Sequence, residues 1–297
     1  MADTADNQQR RKDAMKKLER ELNKRERAEK ARPLGVVAAT VVILAVIVGG
    51  IWFLTTRGGD EEDATAEAAS SEATTEPDQP APLEPTPVQG DVVPMSRETP
   101  LADTVTCSYP ADGQDADVTP PPTENIPAKG TVTVTLKTNK GAIPMTLDRS
   151  VSPCAVNAIE HLAKEGFYDD TVCHRITGGG LNVLQCGDPT GTGSGGPGFS
   201  FPDEWPVKDS KLDPNTPLVY PEGSIAMANS GPDTNGSQFF LNWADGQLPP
   251  AYTLLGTMTP EGLQTVKDIA AKGVNPQNGP NDGAPAEEVR IQTATVS

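Results

Sequence analysis

The sequence is poor in several residue types, and each shortage excludes a class of protein. It has two histidines and four cysteines in 297 residues, and no two cysteines form a C-x-x-C pair. A zinc site needs four ligands at suitable spacing, which Cys173, His174 and Cys186 do not supply, and a dithiol redox centre needs paired cysteines. We therefore expect no metal and no cofactor, and we interpret His161 and His174 as ordinary buried or surface side chains.

Basic residues are scarce after residue 32. Only 13 of the 24 Lys and Arg residues lie beyond that point, against 34 of the 41 Asp and Glu residues. Nucleic acid phosphates are bound by a basic face, so this acidic body excludes nucleic acid as a partner. The hydrophobic fraction of 36% is low, and 28 Gly and 29 Pro are many, which predicts that part of the chain is linker.

Long apolar runs are absent except for one near the N-terminus. Residues 34–54 have no charge over 21 positions, about 31 Å as a helix, which matches a bilayer core. A cleavable signal peptide is the alternative, but its apolar part is shorter and ends in small residues. We predict a transmembrane helix over residues 34–55, with residues 1–33 as a basic cytoplasmic segment. The protein would then be a single-pass protein of the cell membrane, with the rest extracytoplasmic.

Three further regions follow the apolar run. Residues 56–100 are acidic and rich in proline with almost no large apolar side chains, which predicts a disordered linker. Residues 101–129 are expected to be an extension that docks on the next domain, with Cys107 and Tyr109 as docking points. Compact patterning begins near Gly130, so residues 130–297 are predicted to be the folded domain.

The folded domain is predicted to be mainly β. Alternation of apolar and polar residues and the positions of Gly and Pro indicate eight strands and two helices. The strands are predicted at 131–136, 142–147, 171–176, 182–186, 223–228, 237–242, 252–257 and 287–296, and the helices at 153–164 and 260–271. Many short strands with Gly- and Pro-rich turns favour a closed antiparallel barrel.

A glycine-rich stretch, GDPTGTGSGGPG from Gly187 to Gly198, contains a G-x-G-x-x-G match. A dinucleotide-binding loop would open a helix whose N-terminus binds the pyrophosphate. Here Pro197 and Gly198 follow, no amphipathic helix begins, and Asp188 precedes the glycines. We therefore interpret the stretch as a tight surface loop in which glycine supplies positive φ angles.

Three motifs in order suggest a family. They are His174-Arg175, the Q-C-G-D-P-T-G run that begins at Gln185, and M-A-N-S-G-P-D-T-N-G-S-Q-F-F from Met227 to Phe240. Over about residues 130–297 the chain resembles the cyclophilin-type peptidyl-prolyl cis-trans isomerases. The resemblance implies a closed eight-stranded antiparallel barrel capped by two helices, and rotation about X–Pro bonds without a cofactor. The overall architecture is similar to membrane-anchored cyclophilins of actinobacterial envelopes.

The resemblance also implies residue roles. Arg175 would be the catalytic group and Phe240 the floor of a proline pocket. Gln238 would lie on the same strand face as Phe240, and Phe239 would point into the core. The other positions implied to bind substrate are Val183, Gln185, Gly193, Ala228, Asn229, Leu248 and Tyr252. For Gln185 and Asn229, stabilisation of a turn remains an alternative.

Several positions depart from the family pattern. The spacing from Arg175 to Gln185 is two residues longer, and the Phe and Met that usually precede this Gln are replaced by Leu181 or Asn182 and by Val183. Near Leu248, the usual aromatic falls on Gln247 and the usual histidine on Tyr252, while Trp243 is too early to replace the aromatic. We therefore predict weak inhibition by cyclosporin.

Four cysteines in an extracytoplasmic region indicate disulfides, with three possible pairings. We favour Cys173–Cys186 across a hairpin and Cys107–Cys154 between the extension and the first helix. If Arg175 and Gln185 face one way, Cys173 and Cys186 would face opposite ways unless a bulge intervenes.

The resemblance leads to one expected function and one rival. The expected function is peptidyl-prolyl isomerisation that assists the folding of exported proteins, with their Pro-containing segments as partners. The rival is a non-catalytic scaffold or holdase that binds proline peptides in the same groove.

Overall fold

The structure, a computed structural model, describes Pro80, residues 82–114 and residues 118–297. The predicted cytoplasmic segment, the predicted transmembrane helix over residues 34–55 and most of the predicted linker lie outside the described residues. Among the helices that the structure does describe, none is long and apolar enough to cross a membrane.

Short strands dominate the described chain, with two helices among them. In chain order these elements are β1 (Thr104–Val105), β2 (Ile126–Pro127), β3 (Thr131–Thr138), β4 (Gly141–Asp148), α1 (Pro153–Lys164), β5 (Thr171–Val172), β6 (Arg175–Thr177), β7 (Val183–Cys186), β8 (Leu218–Tyr220), β9 (Ser224–Met227), β10 (Phe239–Asn242), β11 (Gly246–Leu248), β12 (Leu254–Met258), α2 (Pro260–Ala270), β13 (Val274–Gly279), β14 (Asp282–Pro285) and β15 (Arg290–Val296).

Eleven of the strands form one antiparallel sheet, in the spatial order β13-β14-β6-β7-β10-β9-β12-β4-β3-β15-β5. Strands β5 and β6 are separated in the chain only by Cys173 and His174, yet β5 pairs with β15 and β6 pairs with β7. If β5 and β6 are counted as one strand, the sheet closes on itself with eight strands. The predicted mainly β barrel with two helices is confirmed.

Strands β3 and β4 form because their apolar residues recur with period two, whereas β9 and β10 are buried at every position. In β3, Val132, Val134 and Leu136 are buried, while the threonines between them are exposed or half-buried. Since side chains alternate across a strand, this places one row in the barrel interior. The long β3–β4 hairpin has its register fixed from Thr131↔Asp148 to Thr138↔Gly141.

Both helices begin at a proline, which suits the first helical position because its missing N–H has no partner there. In α1, Ala155, Ile159 and Leu162 lie on one buried face. In α2, the Thr259 side chain accepts a hydrogen bond from the backbone N–H of Gly262 at 3.2 Å, which caps the helix. The predicted helices at 153–164 and 260–271 are confirmed.

The structure differs from the predicted linker over residues 82–100, which we call the strap. The strap lies on the barrel, with Leu83 and Val93 buried. Its backbone exchanges hydrogen bonds with Val219 at 2.9 Å on either side of Val92, and its Arg97 donates to the Val151 carbonyl at 2.8 Å. A few apolar residues suffice here because prolines already restrict the unfolded chain, so ordering it loses less entropy.

The extension docks as expected, through both predicted points. Cys107 is disulfide-bonded to Cys154 at the start of α1. The Tyr109 hydroxyl donates to the Cys154 carbonyl at 2.8 Å, and its ring packs edge-on against Phe199 and Phe201. Burial raises the pKa of Tyr109 above its usual value.

Four strands of the barrel region were not predicted. Strands β8 and β11 form a separate two-stranded sheet, and β13 and β14 form a hairpin that extends the main sheet from β6. This hairpin, residues 274–285, brings Asp282 beside β6, where it becomes part of the site.

Candidate active site

Three neighbouring strands bring the predicted catalytic arginine and proline pocket together. Arg175 on β6 pairs with Gln185 on β7, and Gln185 pairs with Phe240 on β10. Residues that are directly paired across a sheet point to the same face, and adjacent strands lie about 4.8 Å apart. The three side chains therefore form a single row across the barrel surface.

The row opens on a cavity of about 140 Å³, which we call the slot. Phe240, only 5% exposed, lies in it, with the Tyr252 ring 5.4 Å away and edge-on. One side is apolar and the other is the guanidinium of Arg175 with the amide of Gln185. The slot is lined by Arg175, Leu181, Val183, Gln185, Ala228, Asn229, Phe240, Leu248 and Tyr252.

The Arg175 guanidinium is held by an aspartate that the sequence analysis did not identify. Its Nε and Nη2 donate to the two carboxylate oxygens of Asp282, each at 2.8 Å. Arg175 and Asp282 are about one-third and one-quarter exposed. Hydrogen bonding to Arg175 lowers the pKa of Asp282, and the same bond raises the pKa of Arg175, so the pair stays ionised.

A chain of side-chain amides continues from the arginine. Arg175 Nη1 donates to Gln185 Oε1 at 3.2 Å, and Gln185 Nε2 donates to Gln238 Oε1 at 2.9 Å. Gln238 Nε2 in turn donates to the carbonyls of Gly193 and Gly195. Each amide thereby fixes the orientation of the next, and the guanidinium is oriented from two directions.

The glycine-rich loop folds around its own carboxylate. Asp188 accepts hydrogen bonds from the backbone N–H groups of Thr190, Gly193 and Gly195. Burial opposes ionisation of Asp188, but hydrogen bonds, first from the Thr190 side chain, lower its pKa overall. A Cβ on Gly195 would lie 2.2 Å from this carboxylate, so only glycine fits. The N–H groups that could cradle a phosphate are already bonded to Asp188.

The second disulfide joins Cys173 to Cys186. With the Cys107–Cys154 bridge, both expected pairings are confirmed. Cys173 lies between β5 and β6, outside the regular pairing, and its N–H donates to the Val289 carbonyl. This interruption resolves the parity problem, because Cys173 does not follow the alternation that Arg175 obeys. The bridge lies one residue from Gln185 and two from Arg175.

Not all residues implied by the resemblance lie in the slot. Gly193 and Gln238 line a neighbouring cavity and do not line the slot. Asn229 lines both, but its side chain donates to the Ala251 carbonyl at 2.9 Å and accepts from the Gly231 N–H at 3.2 Å. The turn-stabilising alternative therefore describes the Asn229 side chain, and its backbone is the part left to face a ligand.

The positions that depart from the family pattern have definite partners. Leu181 supplies the wall near Val183, as one of the two residues considered for that place. Gln247 donates from Nε2 to the Gln89 carbonyl of the strap at 2.8 Å. Trp243 is buried and bonds to the Thr177 carbonyl, so it does not replace the missing aromatic.

Neither histidine lines the slot. Burial lowers the pKa of His174, whose ring lies beside Gly193, and His161 Nε2 is 2.8 Å from the Thr119 carbonyl. Within residues 82–114 and 118–297, no three His, Cys, Asp or Glu side chains are placed to hold a metal ion.

Similarities to known proteins agree with the geometry of the site. The family model described as cyclophilin type peptidyl-prolyl cis-trans isomerase matches residues 133–296. Two proteins named probable peptidyl-prolyl cis-trans isomerase B are similar to this chain. The Mycobacterium leprae protein is 46% identical over 198 residues, and the Mycobacterium tuberculosis protein 45% over 199.

Each mycobacterial match covers 64% of this chain, and the chain spans 66% and 63% of the two proteins. A crystal structure of a cyclophilin type isomerase from Cryptosporidium parvum is 29% identical, with a TM-score of 0.43. That match covers 57% of this chain and 98% of the other.

Proposed function

Since the chain belongs to the cyclophilin-type peptidyl-prolyl cis-trans isomerase family, we propose that it catalyses rotation about X–Pro bonds in the slot. The observation that supports this most directly is the row of Arg175, Gln185 and Phe240 across three paired strands. It places a cationic donor and an aromatic floor at one cavity. The names of the two mycobacterial relatives point to the same activity.

Rotation about an X–Pro bond is slow because amide resonance must be lost, with a barrier of about 20 kcal/mol. When the bond twists, the lone pair returns to the prolyl nitrogen, which then accepts a hydrogen bond that the planar amide nitrogen does not. A donor placed at that nitrogen binds the twisted form more tightly than either planar form. Each tenfold acceleration requires about 1.4 kcal/mol of this preference.

Arg175 retains donors for this task. A guanidinium has five N–H groups. Asp282 accepts from two and Gln185 from one, which leaves one N–H on Nη1 and one on Nη2. Because the other three are fixed, these two keep their direction without reorganising when substrate binds, and Phe240 and its apolar neighbours hold the proline ring beside them.

The activity is tested with the full-length chain and a peptide that contains one X–Pro bond. We expect Arg175→Ala to lower kcat/KM about 100-fold, as for loss of one preorganised donor. Arg149→Ala is the matched control, since Arg149 pairs with Glu160 and does not line the slot. If the unsubstituted protein binds the peptide without accelerating exchange, the non-catalytic binding module is the correct function.

The clients that we propose are Pro-containing segments of exported proteins at the outer face of a cell membrane. Two disulfides support an oxidising compartment, and the uncharged run at residues 34–54 supports an anchor. Cell fractionation with protease treatment of intact spheroplasts tests this. We expect the protein in the membrane fraction, with residues 101–297 degraded by external protease; a soluble or protected protein would refute the location.

A further inference from the structure

A second cavity adjoins the slot and is built partly by the extension. This side pocket, of about 130 Å³, shares Gln185, Ala228 and Asn229 with the slot. Its far wall is made by Asp112 and Gln114, which lie outside residues 133–296 that match the family model.

The extension is fixed where it reaches the side pocket. The Ser200 N–H donates to the Pro110 carbonyl at 3.0 Å, and the Asp112 N–H donates to the Gly198 carbonyl at 3.2 Å. Ala111 pairs with Phe199 in an isolated antiparallel bridge. Together with the disulfide at Cys107, these contacts hold the Asp112 backbone at the pocket wall before any ligand arrives.

Asp112 sets the charge of the side pocket. Among the described residues that line it, Asp112 alone is charged, and the others are small, apolar or uncharged polar residues. The Asp112 Oδ1 accepts the Gln114 backbone N–H at 2.9 Å, which fixes the orientation of the carboxylate. The Gln114 amide lies over Gly196, since a Cβ there would be 3.4 Å from both its Nε2 and its Oε1.

We infer that the side pocket selects a basic side chain two positions from the isomerised proline. In an extended peptide, residues two apart point to the same face, so this side chain turns toward the side pocket while the proline enters the slot. A Lys or Arg there meets the Asp112 carboxylate and the Gln114 amide. The inference rests on the proposed isomerase activity and adds a substrate class to it.

The test compares peptides with Lys, Gln or Glu two positions before or after the proline, at low salt. For the full-length protein we expect kcat/KM to be about threefold to fivefold higher with Lys on one side, the range of an exposed ion pair. Asp112→Asn should bring the Lys/Gln ratio to one, and Asp112→Lys should reverse it in favour of Glu. Salt near 1 M should also abolish the preference.

The control is Asp268→Asn, which makes the same change in net charge on α2, away from both cavities. It should leave the Lys/Gln ratio unchanged. A ratio of one in the unsubstituted protein, or a preference that survives Asp112→Asn, would overturn the inference. Turnover of the Gln peptide tests the proposed activity separately. If the Gln peptide is not turned over, the charge preference is tested instead by the ratio of the Kd values of the labelled Lys and Gln peptides.

Discussion

In the barrel, β3 and β4 bury alternate residues, β9 and β10 are buried at every position, and both helices are packed on the sheet along a continuous face. The described parts of the strap and the extension, within residues 82–129, are held instead by fewer and separate contacts, among them four buried apolar residues, one disulfide, one tyrosine and one arginine. Stability in the barrel is therefore shared among many residues, whereas in the N-terminal segments it is concentrated in a few. The row that we propose to bind proline lies wholly in the barrel, so damage to the N-terminal contacts should change stability more than turnover.

The largest contrast is expected between the two disulfides. Replacing Cys107 and Cys154 by alanine should lower the free energy of unfolding by about 4 kcal/mol, since this bridge closes a loop of 47 residues, and should leave turnover within about twofold. Replacing Cys173 and Cys186, 13 residues apart, should remove about 3 kcal/mol and also lower kcat/KM, because Arg175 is their neighbour. Denaturant unfolding and peptide exchange measure both; equal effects on turnover would contradict the contrast.

A glutamate that bonds to the first turn of α1 should make stability depend on pH. Burial raises the pKa of Glu204 to about 7, and its Oε2 accepts the Ala155 N–H at 2.8 Å. The folded state therefore binds the proton more tightly, and stability is lost as pH rises from about 4.5 through 7, by up to about 3 kcal/mol.

Glu204→Gln keeps an acceptor oxygen but cannot ionise. Unfolding free energies measured from pH 5 to 8 should fall less steeply for this variant than for the unsubstituted protein. Parallel pH profiles for the two proteins would show that Glu204 does not titrate in this range on folding.

Adjacent valines in the strap provide a matched pair. Val93 is 1% exposed and Val92 is 58% exposed. Val93→Ala should lower the free energy of unfolding by about 2 kcal/mol through lost burial, whereas Val92→Ala should change it by less than about 0.5 kcal/mol. Equal denaturation midpoints for the two variants would mean that the burial of Val93 contributes nothing to stability.

In the barrel, loss of a partner of Arg175 should act on turnover rather than on stability. Asp282→Asn keeps one acceptor and removes the charge, so the guanidinium is less firmly oriented, and kcat/KM should fall about fivefold, near 1 kcal/mol of transition-state binding. Asp170→Asn is the control, because Asp170 pairs with Arg290 on the surface. Peptide exchange at several pH values should also show that the unsubstituted protein keeps the proposed activity near pH 4, since the pKa of Asp282 is lowered.

The smallest effect concerns Gln247, where strap and barrel meet. Cyclosporin should inhibit weakly, because a glutamine bonded to the strap stands at the position where the family has an aromatic. Gln247→Trp should tighten inhibition several-fold, with Gln264→Trp on α2 as control. A nanomolar inhibition constant for the unsubstituted protein would show that the position was assigned wrongly.

The sequence was sufficient for elements whose apolar residues are periodic and for motifs whose members are close together. Strand β3 shows strict alternation, and the run from Met227 to Phe240 identifies its family in one continuous stretch. Strand β13 has a single buried residue, Val274, followed by five exposed ones, so no periodic signal marked it. The ordered strap was not predicted for the same reason, since its two buried residues are ten positions apart.

Site residues that act through distant partners could not be found in this way. Asp282 follows Arg175 by 107 residues, in a Gly- and Asn-rich stretch that predicts only a turn. Asp112 belongs to a segment without any recognised motif, and its place beside the barrel follows from contacts at Tyr109 and Gly198. The pairing of a charge with its partner depends on tertiary structure, which residue spacing alone does not specify.

The Asp188 carboxylate inside the glycine-rich loop has a consequence for substrate capture. Many glycine loops remain mobile until an anionic ligand fills them, so part of the binding free energy is consumed in ordering them. This loop contains its own anion, and Gln238 bonds to two of its carbonyls. The glycine-rich loop would therefore already be ordered when a peptide arrives, and the peptide should associate without a preceding loop closure.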